Sequence, residues 1–134
     1  MIADTSALVA AFAPWHERHA AAREALRGID DLVAHTELEA YSVLTRLPAP
    51  FRAPPAIVAE HLARRYPGAR LVLPPPLRRR LIGRLAELSI CGGSVYDALV
   101  GATAQQAGRP LVSVDRGAAP TYEALGVDVR SLAA

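Results

Sequence analysis

The chain has 134 residues, with fifteen Arg and no Lys, thirteen acids and a formal charge of +2. Its 51% hydrophobic fraction is enough for a packed core in one domain spanning 1–134, and argues against disorder. Without Lys there is no P-loop and no Schiff-base chemistry, and the single Cys91 allows neither an intrachain disulfide nor a thiolate zinc site.

In chain order, Ile2-Ala3 read as a short buried strand ending at Asp4, and 5–12 (TSALVAAF) continue apolar. Pro14 opens and Gly28 closes a predicted helix over 14–28, following the Pro-first, Gly-last asymmetry of helices. Asp30-Asp31 mark a turn before a second strand at Leu32-Val33-Ala34. Residues 36–46 are helical until Pro48 and Pro50 stop them, and Pro54-Pro55 open a helix through Arg65. A Pro-rich connection over 66–76 contains an extended piece at 70–73. Leu77, Leu81, Leu85 and Leu88 stand at helical spacing over 77–88, beside Arg78, Arg79, Arg80 and Arg84. After Gly92-Gly93 come a helix over 94–107, a strand over 111–114, a turn at Asp115-Arg116-Gly117, a short helix closed by Gly126 and a last strand at 127–129. Strands alternating with helices indicate α/β architecture with a mostly parallel sheet. The free thiol fits a reducing cytoplasm. No signal peptide is read, and no apolar run approaches the roughly 20 residues of a membrane span.

Open α/β sheets place their sites outside the carboxyl ends of the strands. Asp4 and Asp115 each directly follow a strand, although either could also be an ordinary cap or turn aspartate. Asp97 follows Ser94 at the spacing of a capping box. Its helix, however, is small and apolar, with Gly101, Ala104 and Gly108 continuing the face of Asp97. Close packing there would partly bury the carboxylate, and an unpaired buried carboxylate is costly. Thr36 and Glu39 form a second possible capping box, and Glu37 and Glu39, two apart, point to different faces of a helix. Periodicity does not choose between them. Acids converging on one pocket raise each other's pKa, and a hard divalent cation with oxygen ligands, Mg²⁺ or Mn²⁺, is the usual resolution.

Four segments, in order, resemble the motifs of PIN-domain nucleases. They are MIADTSALVAAF, HTELEAYSVLTRLP, GGSVYDALVGATAQQAG and LVSVDRGAAPTYEALGVDV. Together they run from Met1 to near the C-terminus, with the weakest stretch over 49–75. The length and the Tyr-Asp-Ala-Leu and Leu-Gly-Val-Asp-Val segments are similar to VapC-type toxins within that family. The resemblance implies a PIN-like three-layer α/β/α domain and metal-dependent hydrolysis of RNA phosphodiesters, which would inhibit translation. It selects Glu39 over Glu37 and carries over Asp4, Glu39, Asp97 and Asp115 as the catalytic, metal-binding acids. Thr5, Ser6 and Ser113 would be outer hydroxyls that orient ligands or water, and Arg116 a phosphate contact or a solvated turn Arg. The implied partners are RNA, a VapB-like antitoxin that inserts a segment into the acidic pocket, and a second copy of the chain.

His16 and His19 read better as a surface pair than as metal ligands. Arg78, Arg79 and Arg80 read better as a solvated helix face than as a nucleic-acid patch, and Trp15 as packing against the start of its helix. Scarce aromatics, 5% of the chain, predict little base stacking. Two other functions remain open: a non-catalytic PIN-like module that holds RNA or protein, and a phosphatase or phospho-acceptor domain using Asp4. The missing Lys counts against the latter.

Overall fold

In the computed structural model, which describes residues 1–133, very short strands carry the sheet. They are β1 (Ile2–Ala3), β2 (Leu32–Val33), β3 (Arg70–Leu71), β4 (Leu111–Ser113) and β5 (Val129–Ser131). Every ladder is parallel, in the orders β1-β4-β5 and β2-β3, with Ile2 opposite Leu111 and Leu111 opposite Val129. β2 lies beside β1. The helices are α1 (Thr5–Phe12), α2 (His19–Ala25), α3 (Ala34–Arg46), α4 (Pro55–Arg65), α5 (Pro75–Glu87), α6 (Ser94–Gln106) and α7 (Ala119–Leu125).

Consecutive strand residues point to opposite faces, so two or three residues suffice to build two cores. Ala3, Leu32 and Val112 join Leu8 of α1, Leu44 of α3 and Leu62 of α4. Their neighbours Ile2, Val33 and Leu111 join Val100 and Ala104 of α6 and Tyr122 of α7. The sheet is therefore sandwiched between two helical layers, as the α/β/α expectation has it. Truncating a fully buried leucine such as Leu44 or Leu111 to alanine is expected to cost about 2–5 kcal/mol.

Two predicted elements move. The helix expected over 14–28 begins only at His19. Residues 14–18 form turns, with the His16 N–H bonded to the Ala13 carbonyl and His16 Nδ1 accepting the Arg18 N–H. Such local side-chain bonds offer the backbone an alternative to helix. The last strand runs from Val129 to Ser131, two residues later than predicted. Its register is fixed by pairing with β4, because the Leu111 N–H bonds to the Asp128 carbonyl. The apolar run over 5–12, given no element by its pattern, is the helix α1. The turn at Gly126 closes α7 in the left-handed region, with φ of 71°, as a helix-ending glycine does. Among the described residues no helix is long and apolar enough to cross a membrane.

At Gly101, between α6 and α7, packing leaves no room for a side chain. A Cβ there would stand 2.8 Å from Val127 Cγ2 and 3.3 Å from Tyr122 Cδ1. This close approach lets α6 lie against α7, as the small residues at 101 and 104 predict. Gly108, expected to continue that stripe, instead lies past the end of α6 with φ of 67°.

Candidate active site

Asp4 leaves β1 at its carboxyl end and caps α1. Its Oδ1 accepts the Ala7 N–H at 3.0 Å and the Ser6 hydroxyl at 2.5 Å. The cap reading and the site reading are therefore both true of this residue. Its other oxygen accepts the Tyr122 hydroxyl at 2.8 Å. Asp4 is only 3% exposed. Burial raises its pKa, against hydrogen bonds from Ser113, Ser6, Ala7 and Tyr122 that favour the charged form.

The end of β4 supplies the second strand acid. Ser113 Oγ accepts the Asp115 N–H at 3.1 Å and lies 3.4 Å from Ser6 Oγ. Ser6 Oγ in turn accepts the Val114 N–H at 3.0 Å. Ser6 and Ser113 thus tie the ends of β1 and β4 together under Asp4. Asp115 is exposed, and its Oδ1 accepts the Gly117 N–H at 2.7 Å in a tight turn.

The helix acids arrive from opposite layers. Glu39, on α3, accepts the Thr5 hydroxyl through Oε1, and its Oε2 faces His35 Nε2 at 3.6 Å. Glu37 turns away to Arg70, with Oε2 2.6 Å from Nη2 and 2.7 Å from Nε. The choice that spacing left open is settled by which face of α3 meets α1. Thr36 does not form the capping box with Glu39; its hydroxyl donates to the Val33 carbonyl. Asp97 lies in the first turn of α6, where Ser94 makes no side-chain cap. Its pKa is raised to about 6, first by burial and then by the charges of Asp115, Asp4 and Glu39, with His35 opposing. Asp97 therefore feels the charge of each of the other three predicted acids. Among the described residues, no three acids, imidazoles or thiols close around a single point in this arrangement. What joins the four acids is charge.

Of the remaining predicted residues, Thr5, Ser6 and Ser113 are brought into the site and Arg116 is set at its surface. Arg116 is exposed and borders a shallow concavity with His16 and Arg18. His16 and His19 do not form a pair, since His19 Nδ1 bonds to the Ala10 carbonyl at 2.8 Å. Trp15 packs on Phe51, with ring centroids 4.9 Å apart. Arg78, Arg79, Arg80 and Arg84 are exposed on α5, the solvated face expected of them.

Tyr122 was not anticipated as a site residue. It is 1% exposed, and burial and the negative charge of Asp4 hold its hydroxyl protonated, with the pKa strongly raised. It therefore remains a donor to Asp4. Its sequence signal is a tyrosine in a short helix that also carries Glu123 and Leu125, which does not single it out. His35 was likewise missed, although it stands one helical turn before Glu39.

Residues 1–123 match the PIN domain. Ribonuclease VapC40 from two strains of Mycobacterium tuberculosis is 50% identical over 126 residues, covering 94% of each chain. Ribonuclease VapC27 of the same species is 39% identical over 132 residues, covering 94% of this chain and 92% of the relative. A chain from the structure of FitAB bound to IR36 DNA fragment matches the fold with a TM-score of 0.70 at 20% identity, covering 97% of this chain and 93% of that one.

Proposed function

The chain belongs to the PIN-domain family and, within it, to the VapC ribonucleases, and from that premise we propose that it is a divalent-metal-dependent endoribonuclease. The observation that carries the reading is Asp97. Its carboxyl is pushed up to about 6 by burial together with three acids from separate elements. Oxygen donors that repel one another suit a hard cation, Mg²⁺ or Mn²⁺, which would have to draw them together, since no three of them close around one point among the described residues. Asp4, Glu39, Asp97 and Asp115 would hold it. When bound, such an ion supplies an activated water and charge neutralisation at the scissile phosphate.

The chain's own residues prepare the site. Tyr122 and Ser6 fix both oxygens of Asp4. Thr5 orients Glu39, and Ser113 holds the backbone at Asp115. Arg116, at the surface beside Asp115, is the candidate phosphate contact. No side chain here need become a covalent nucleophile. As a VapC-type toxin the protein would act in the cytoplasm to inhibit translation, and would be restrained by a VapB-like antitoxin. A homodimer is in keeping with the exposed apolar residues Ile82 and Leu88 of the α5 segment.

The test is cleavage of a mixed pool of structured RNAs with Mg²⁺, Mn²⁺ or EDTA, beside the Asp4→Asn variant checked by circular dichroism. Cleavage that requires metal and disappears in a folded variant is the expected result. Equal metal-dependent cleavage by the variant would remove Asp4 from the mechanism. Tight RNA binding without cleavage in either metal would favour a non-catalytic module.

A further inference from the structure

Tyr96 immediately precedes Asp97, and it is 53% exposed. Its ring lies flat against His35, with centroids 5.2 Å apart and planes within 3° of parallel. His35 in turn places Nε2 3.6 Å from Glu39 Oε2. An exposed tyrosine ring therefore follows Ser94 and Val95 directly before one acid, Asp97, and lies against the imidazole that faces another, Glu39. Parallel planes with centroids 5.2 Å apart are the offset-stacked arrangement that aromatic pairs favour. A parallel ring behind Tyr96 keeps its outward face in one orientation. His35 and Arg78 both line a groove of about 220 Å³.

We propose that Tyr96, backed by His35, is a stacking platform for one unpaired base of the RNA, next to the phosphodiester that is cut. This rests on the ribonuclease reading. The chemistry fits an RNA single strand or loop, because every base has a face to stack and unstacked bases are what proteins read in RNA. The other exposed aromatic pair, Trp15 and Phe51, is tilted by 51° and follows the far end of α1 from Asp4. It offers a control. Few aromatics are present; of the two beside the acids, Tyr122 is buried on Asp4 and Tyr96 is exposed.

The experiment is a binding cycle in EDTA, where no cleavage occurs. Affinities of the wild type, Tyr96→Ala, Tyr96→Phe and Phe51→Ala are measured by fluorescence anisotropy. The probes are a labelled single-stranded RNA 12-mer and a 12-mer ribose-phosphate strand without bases. Tyr96→Ala should weaken binding of the base-bearing strand roughly 5- to 150-fold, the range expected for loss of one stacked base. It should leave the abasic strand unchanged. Tyr96→Phe and Phe51→Ala should match the wild type on both. Equal losses on both strands would mean that Tyr96 only supports the fold, and would overturn the platform. So would a wild type that fails to distinguish the strands. The parallel metal-dependent cleavage assay separates the two readings. A preserved binding cycle without cleavage keeps the platform and removes the nuclease, whereas cleavage with a flat binding cycle does the reverse.

Discussion

Asp4 and Ser113, at the carboxyl ends of β1 and β4, sit in a closed set of hydrogen bonds, whereas Asp97, carried by α6, does not. Asp4 accepts from Ser6, Ala7 and Tyr122. Asp97 takes no hydrogen bond from a protein group among the described residues, and it meets three like charges. The strand half is set before anything binds. In the helix half Glu39 accepts from Thr5, so Asp97 is the acid left unsatisfied. On the metal-dependent reading proposed above, Asp4 would define the position of the ion and Asp97 would gain most from its charge.

Substitutions can break the comparison at either half. Asp97→Asn should lower metal-dependent RNA cleavage by more than about 100-fold, since even outer partners of a metal ligand are typically worth roughly 10–100-fold. Single-turnover cleavage assays measure this. Activity within a few-fold of wild type would mean that the helix half carries no ligand.

Tyr122→Phe addresses the strand half. It removes the donor to Asp4 Oδ2 while preserving the ring. Activity should fall on the order of 10-fold, and stability by about 1–3 kcal/mol from an unsatisfied buried acceptor. Urea denaturation and cleavage rates read the two effects. Unchanged values in both would show that the hydrogen bonding around Asp4 does not hold it.

A third prediction is about pH. The Asp97 carboxyl is pushed up to about 6 from the ordinary 3.8, so between about pH 4 and 6 the folded state binds more protons than the unfolded state. Metal-free stability should then fall as pH rises through that window and stay lower above it. For this partly exposed group the fall should be on the order of 1 kcal/mol once solvent screening is allowed for. Asp97→Asn should flatten that part of the curve and be the more stable protein at pH 7. A wild-type curve already flat between pH 4 and 6 would remove the strain assigned to the helix half.

Glu37→Gln is the smallest test and isolates the site. Glu37 belongs to the Arg70 pair rather than to the acids. Its loss should leave cleavage unchanged and cost up to about 1 kcal/mol. A large activity loss would mean that the wrong face of α3 has been assigned to the site.

Much of this arrangement is legible in the residues alone. The strand ends place Asp4 and Asp115, because a short apolar run followed by an acid reads locally. The helix at 94–107 and its close-packed small residues are visible for the same reason. The start of α2 was misplaced because the choice between a helix and the turns at 14–18 depends on bonds back to Ala13, and the last strand because its register belongs to its partner β4.

Sequence by itself determined the alternation of strands and helices after the first strand, the acids available, and the absence of Lys chemistry, of an intrachain disulfide and of a thiolate zinc site, since each depends on residue identity or on neighbours a few positions away. Only the tertiary structure decided that Glu39 faces the acids while Glu37 faces Arg70, that Tyr122 reaches Asp4 across 118 positions, and that Tyr96 stacks on His35. Those outcomes depend on how separate helices pack across a shared sheet, and the chain encodes that packing through all its contacts at once rather than in any one motif.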